Sequence, residues 1–112
     1  MARGYVPDRG DIVWIEFDPQ AGHEQAGKRP ALAVSKKSYN ERAGLALFCS
    51  VTNQTKGYPF EIPLGPESKV TGVVLADQLK SMDFRARRAK LAGKATHEVV
   101  ADLRMKLHAL ID

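Results

Sequence analysis

The chain has 112 residues, a length typical of one domain, and its 44% hydrophobic and 27% charged content excludes a disordered chain. The apolar runs are too short to cross a bilayer and no apolar signal segment begins the sequence, so we expect one cytoplasmic domain over residues 1–112. The formal net charge of +4 allows an anionic partner but does not require one.

The first half of the chain contains three apolar segments that are typical of β-strands. They cover residues 11–17, 30–35 and 45–51. The first reads D-I-V-W-I-E-F and is rich in β-branched and aromatic residues, so we expect Trp14 in the core or in a dimer interface. The third contains Cys49, the only cysteine, which excludes an internal disulfide and is expected in the core. Residues 36–42 have no apolar stripe and predict a single helical turn or a loop.

The second half contains three further predicted strands and a helix. The strands cover residues 60–64, 71–75 and 86–91. After Thr96, a typical N-cap residue, apolar side chains recur at helical spacing over about four turns. These side chains are Val99, Val100, Leu103, Leu107, Leu110 and Ile111. Five or six short antiparallel strands and a terminal amphipathic helix predict a small, strongly bent sheet or a partly open barrel.

The candidate functional residues are polar side chains at the ends of strands or in the adjoining loops. They are His23, Glu24, Arg29, Thr52, Asp77 and Gln78. The sequence has no glycine-rich phosphate loop and no G-x-S-x-G or H-E-x-x-H motif. The three histidines are scattered, and we expect His97 and His108 on the exposed side of the terminal helix. The pattern therefore disfavours a metal site, and we expect none.

A basic segment precedes the terminal helix. From Lys80 to Lys94 it contains six cations and a single acid, Asp83. Such a run is most often a solvated face, and a surface that tracks nucleic-acid phosphates is the alternative.

Four segments together carry a resemblance to a known family. They read VPDRGDIVWIEFDP, HEQAGKRPALAVS, VTNQTKGYPFEI and TGVVLADQLKSMDFRAR. In their order and spacing they resemble the MazF/PemK family of toxin endoribonucleases, and the match runs from Arg9 to the terminal helix. The resemblance implies a mainly β fold, an SH3-like barrel of five to seven antiparallel strands with a C-terminal helix. It also implies a homodimer, cofactor-free and metal-independent cleavage of single-stranded RNA, often mRNA, and a MazE-like antitoxin with an acidic tail.

Cleavage of RNA without a metal needs a base for the 2′-hydroxyl, an acid for the leaving oxygen, and a group that stabilises charge on phosphorus. The planar fork of Arg29 suits the phosphate, although the family also assigns it proton transfer. Thr52 can donate one hydroxyl hydrogen bond.

The resemblance leaves four candidates for the general base, which are His23, Glu24, Asp77 and Arg29. The PemK branch has a histidine and an aspartate matching His23 and Asp77, but its arginine shortly before that aspartate is Leu75 here. The MazF branch has a site residue matching Glu24, which can act as the base or orient Arg29. An imidazole titrates near neutral pH, as a base requires. A guanidinium stays protonated, which argues against Arg29 as the base.

The resemblance also suggests which residues hold the RNA. Four polar side chains surround the site, and two arginines form a wider basic rim. The four are Lys28, Gln54, Lys56 and Gln78, and the two are Arg85 and Arg87. We expect Tyr58 and Phe60 to pack in the core rather than to stack on bases.

Two other functions are open for this fold. One is a non-catalytic toxin that poisons a protein target, because the CcdB gyrase poisons share the fold. Those toxins rely on an aromatic C-terminal end, whereas this chain ends in H-A-L-I-D, and the pair of Arg29 and Thr52 favours RNA cleavage. The other is a degenerate member that only binds RNA or antitoxin.

Overall fold

A computed structural model describes residues 4–17 and 28–112 of the chain. These residues form six strands and two helices. They are β1 (Asp11–Glu16), β2 (Lys28–Ala33), α1 (Lys37–Ala43), β3 (Ala46–Thr52), β4 (Glu61–Pro63), β5 (Val73–Met82), β6 (Lys90–Lys94) and α2 (His97–Ile111). The strands form one antiparallel, curled sheet in the order β4-β5-β3-β2-β1-β6. The predicted mainly β fold with a C-terminal helix is confirmed.

The sheet has a hydrophobic core on each face, because successive side chains of a strand point to opposite sides. In β1, Ile12 joins one core cluster, whereas Val13 and Ile15 join the other. In β2, Leu32 joins the first cluster and its neighbour Ala31 the second. The central strands are therefore covered on both faces, and this holds the backbone of β2 and β3 firmly in place.

Helix α2 covers the first of these clusters. The Oγ1 of Thr96 accepts the N–H of Val99 at 3.2 Å, which confirms the predicted N-cap. Val99 and Leu103 are buried against the sheet, but Ile111 at the end of the predicted apolar stripe is 83% exposed. Among the described residues, neither helix is both long and apolar enough to cross a membrane.

Strand β5 differs most from its prediction over residues 71–75, because it continues to Met82. Cys49 pairs with Leu79 and Val51 pairs with Val74, so four residues of β5 lie opposite the single residue Ser50 of β3. This bulge interrupts the alternation of buried and exposed side chains that marks a strand in a sequence. The prediction that residues 77–78 follow the strand is therefore wrong, since they lie inside it.

Besides shifts of one residue at the ends of β1, β3 and β4, three other segments differ from their predictions. Strand β6 is Lys90–Lys94 rather than residues 86–91, because a turn follows Asp83, whose Oδ1 accepts the backbone N–H groups of Arg85 and Ala86. Strand β2 begins two residues earlier than residues 30–35, so that Arg29 lies within it. Helix α1 has seven residues and is longer than a single turn.

Candidate active site

A cavity of about 410 Å³, here called the main cavity, opens where β1, β2, β3 and β5 meet. Its lining includes Trp14, Arg29, Thr52, Asn53, Thr71 and Gln78. The structure thus brings together three of the predicted site residues, Arg29, Thr52 and Gln78, from three different strands. Each of these strands is fixed by its neighbours in the sheet, so the three side chains start from a rigid frame.

A second, smaller cavity of about 140 Å³, here called the loop cavity, adjoins the first. Its lining includes Gln54, Lys56, Tyr58, Glu61, Asp77 and Gln78. Gln78 and Leu75 line both cavities and form the wall between them. The predicted residues Gln54, Lys56 and Asp77 therefore lie beside the main cavity, on the far side of this wall.

Arg29 combines a fixed backbone with an exposed side chain. It pairs in register with Ile15 of β1, whose side chain is fully buried. The following Pro30 fixes its own φ and restricts Arg29 to an extended conformation. Arg29 lines the main cavity, and its guanidinium is a cation with up to five N–H donors in a geometry that matches a phosphate group.

Thr52 is the last residue of β3 and pairs in register with Val73 of β5. Its Oγ1 accepts the backbone N–H of Gln54 at 3.1 Å, which leaves the hydroxyl proton free to be donated into the cavity. Gly72 has a φ of +120° and lies so close that a Cβ there would be 2.4 Å from the Thr52 carbonyl oxygen. This close backbone contact fixes the position of Thr52.

The loop that follows β3 is held by Glu61 at the start of β4. Its carboxylate accepts the backbone N–H groups of Lys56 at 2.8 Å and Gly57 at 3.1 Å. The side chains of Gln54 and Lys56 are exposed at the loop cavity. Tyr58, which we expected in the core, is instead 57% exposed. Phe60 packs partly buried against the core, as predicted.

The bulge in β5 carries Asp77 and Gln78 to the cavities. Cys49, on the adjacent strand, is fully buried, which confirms its predicted place in the core. Burial, and then the charge of Asp77, raise the pKa of the Cys49 thiol to about 12. The thiol therefore stays protonated at neutral pH and is unsuited to nucleophilic chemistry.

The remaining predicted residues lie apart from the two cavities or outside the described residues. Lys28 and Arg85 are exposed, and Arg87 donates from Nη1 to the carbonyl oxygens of Glu16 at 3.1 Å and Phe17 at 2.6 Å. None of these three is among the described residues that line either cavity. His23 and Glu24 fall within residues 18–27, outside the described part of the chain.

The sequence reasoning missed several residues of the main cavity, above all Trp14. We expected it in the core or in a dimer interface, but it is 41% exposed, so the core assignment is wrong for this chain. The signal available was its strand position, because Trp14 shares a strand face with the polar Glu16 two residues later. Asn53 and Thr71 were also missed, and they are joined by a 2.9 Å hydrogen bond from Thr71 Oγ1 to Asn53 Oδ1.

Comparison with known proteins identifies the family. The family model for the PemK-like, MazF-like toxin of type II toxin-antitoxin systems matches residues 8–111. The chain belongs to this toxin family. A similar curated protein, the endoribonuclease toxin MazF of Escherichia coli K12, is 45% identical over 99% of both chains.

Solved structures of MazF-like toxins have the same fold. MazF from Deinococcus radiodurans is 51% identical, with a TM-score of 0.87 over 96% of this chain and 98% of that chain. A MazE-MazF crystal structure from the same organism matches at 44% identity, with a TM-score of 0.86 over 96% of this chain and 97% of that chain. The fold and the order of the site segments are thus those of a MazF-like toxin.

Proposed function

We propose that this MazF-like toxin is an endoribonuclease that cleaves single-stranded RNA, including mRNA, at short preferred sequences. Cleavage of mRNA in the cytoplasm inhibits translation and growth. The observation that carries the proposal is the meeting of Arg29, Thr52 and Gln78 in the main cavity, with Lys56 beside it. A bidentate cation next to a hydroxyl donor is suited to a phosphodiester.

In the proposed reaction the 2′-oxygen of one nucleotide attacks the adjacent phosphorus, and the bond from phosphorus to the 5′-oxygen of the next nucleotide breaks. A base takes the 2′-hydroxyl proton and an acid protonates the departing 5′-oxygen. The products are a 2′,3′-cyclic phosphate and a 5′-hydroxyl end. Arg29 and the Thr52 hydroxyl stabilise the charge that grows on the phosphate oxygens, without a metal or another cofactor.

The base is one of His23, Glu24 and Asp77, with Arg29 disfavoured because a guanidinium holds its proton. Asp77 lies in the loop cavity, across the wall from Thr52. The pH profile of cleavage is measured for each of the variants His23→Ala, Glu24→Gln and Asp77→Asn. The variant that lacks the base should no longer show the rise of activity with pH.

Side chains around the cavities hold the rest of the RNA in this proposal. Gln54, Lys56 and Gln78 contact the nucleotides next to the cleaved bond, and Lys28, Arg85 and Arg87 attract the strand from further away. Arg87 is limited in this role because its Nη1 already donates to two backbone carbonyls.

The toxin acts in this proposal as a homodimer that is controlled by a MazE-like antitoxin. The support is the similarity to MazF in the MazE-MazF crystal structure. An antitoxin with an acidic tail suits a chain whose formal net charge is +4. The alternative of a gyrase poison has no support, because the curated relatives that match are named endoribonucleases.

The test is incubation of the purified protein with a long single-stranded RNA in the presence of a chelator, followed by mapping of the cut ends. We expect 2′,3′-cyclic phosphate ends, and a loss of about 10²- to 10³-fold in kcat/KM for Arg29→Ala. Arg29→Lys keeps the charge but not the fork, so it should rescue only part of the loss. Arg42→Ala on α1 removes an exposed arginine away from the cavities and serves as the control. Intact RNA after incubation with folded wild-type protein would overturn the proposal.

A further inference from the structure

A third cavity, of about 380 Å³, lies beyond Trp14 and is here called the outer cavity. It shares Trp14, Asn53 and Thr71 with the main cavity. What distinguishes it is its own lining by Lys69, Lys90 and Leu91. The two cavities therefore form one continuous groove, and the Trp14 side chain lies at the point where they join.

The sheet register explains why an aromatic ring and a cation lie side by side there. Trp14 pairs with Pro30 of β2 on one side and with Lys90 of β6 on the other. Side chains of directly paired residues point to the same face of a sheet, so these three form a row across it. Trp14 and Leu91 are 41% and 46% exposed, so both add open apolar surface to the outer cavity that they line.

Lys69 adds a second cation from the segment that precedes β5. Its Cβ lies 3.5 Å from the position that a Cβ on Gly93 would occupy, so this segment rests directly on β6. Both lysines are exposed. The outer cavity thus combines an open aromatic face with two cations, in direct continuation of the cavity that contains Arg29.

We propose that Trp14, Lys69 and Lys90 form a subsite for a nucleotide that flanks the cleaved bond. The Trp14 indole stacks on the base, and the two ammonium groups neutralise neighbouring phosphates. A positive groove with an exposed aromatic ring is the arrangement that holds single-stranded nucleic acid without strict sequence preference. The inference rests on the proposed function, because the main cavity defines where the scissile phosphate lies.

The subsite predicts which kinetic constant changes. Stacking on Trp14 occurs away from the reacting atoms, so it contributes equally to substrate and transition state. Loss of the ring should therefore raise KM and leave kcat nearly unchanged. A substrate with an abasic site in place of the flanking nucleotide keeps its phosphates and should give wild type the KM of Trp14→Ala, whereas that variant should be insensitive to the loss of the base.

Trp14 is the only tryptophan in the chain, so its fluorescence reports on binding where the main and outer cavities join. The probe is a single-stranded 2′-O-methyl oligonucleotide of mixed sequence, which the proposed reaction cannot cut. We expect quenching of Trp14 on binding, and about 5- to 150-fold weaker binding of this oligonucleotide by Trp14→Ala, measured by fluorescence anisotropy of a labelled strand. Trp14→Phe keeps an aromatic face and should restore part of the affinity.

The two lysines are tested by the salt dependence of the same binding. Lys69→Ala and Lys90→Ala should each reduce the slope of log K against log salt by about 0.7. Tyr39→Ala and Lys37→Ala on α1 remove an exposed ring and an exposed cation elsewhere, and they should leave affinity and slope unchanged.

Two results would overturn the subsite. These are unquenched Trp14 fluorescence at saturating oligonucleotide and wild-type affinity in Trp14→Ala. In the first case, quenching by an acidic peptide would assign the outer cavity to a protein partner. If Trp14→Ala does not fold, quenching of the native tryptophan and the Trp14→Phe variant decide the question. Failure of the proposed function is distinguishable, because it would show as uncut RNA while the uncleavable oligonucleotide still quenches Trp14.

Discussion

Gly72 provides the sharpest test of how the main cavity is assembled. Its φ of +120° is a conformation that residues with a Cβ rarely adopt. A Cβ there would be 2.4 Å from the carbonyl oxygen of Thr52 and 2.9 Å from its carbonyl carbon. In Gly72→Ala, either the end of β3 or the start of β5 must therefore move.

The size of the effect follows from these distances. Ordinary contact begins at 3.4 Å, so the Cβ in Gly72→Ala requires a displacement of about 1 Å. A displacement of about 1 Å at a catalytic group can cost about 100-fold in rate, or about 2.7 kcal/mol of transition-state stabilisation. The unfavourable φ adds a loss of about 1–3 kcal/mol in the free energy of unfolding.

The assay compares kcat/KM for RNA cleavage, and urea unfolding, between Gly72→Ala and a matched control. Gly65→Ala is that control, since Gly65 also has a positive φ, of +94°, but has no atom within 4 Å of the position of its Cβ. Both variants should lose stability, but only Gly72→Ala should lose about 10- to 100-fold in cleavage at a temperature where both are folded. Equal cleavage by the two variants would refute the role of Gly72 in placing Thr52.

Three further predictions concern stability and reactivity. Thr96→Ala removes the acceptor of the Val99 N–H and should lower the free energy of unfolding in urea by about 1 kcal/mol, whereas an unchanged midpoint would contradict the cap. The pKa of the Asp8 carboxyl is lowered, chiefly because it accepts the Lys37 backbone N–H, so its stabilising effect holds above its unfolded pKa and is lost as pH falls through the lower folded pKa. The stability difference between wild type and Asp8→Asn should therefore shrink from pH 7 towards pH 2, and a constant difference would contradict this. The buried Cys49, with its pKa raised to about 12, should react with a thiol reagent at neutral pH only when the protein unfolds, and rapid labelling of the native protein would contradict its burial.

Regular patterns made most of the fold predictable from the sequence. In β1, the β-branched and aromatic residues correctly indicated a strand, because Ile12 faces one core and Val13 and Ile15 face the other. In α2, helical spacing and Thr96 located the N-terminal end. The far end of β5 was not predictable, because five successive residues from Asp77 to Ser81 are exposed and no alternation marks them.

Site residues that lie in a local sequence motif could be predicted. Site residues whose exposure depends on the packing of the whole fold could not. Arg29 before Pro30 and Thr52 at a strand end both lie in segments that resemble the family, and the structure places them in one cavity. The exposure of Trp14 was indicated only by Glu16 on the same strand face, because α2 covers the cluster that contains Ile12, whereas Trp14, two residues later, lies beyond that cover. How far a helix extends over a sheet is a tertiary property that cannot be read from the residues of one strand.

Because of the bulge in β5, the wall between the main cavity and the loop cavity can change in length without a change in the register of the sheet. The pairs Cys49–Leu79 and Val51–Val74 enclose four residues of β5 that have no partner on β3, among them Leu75 and Gln78 of that wall. A residue inserted or deleted between Ala76 and Leu79 would reshape the wall while β5 kept its partners on β3 and β4. This segment is therefore a place where the substrate preference of such a toxin can evolve, or be engineered, without rebuilding its core.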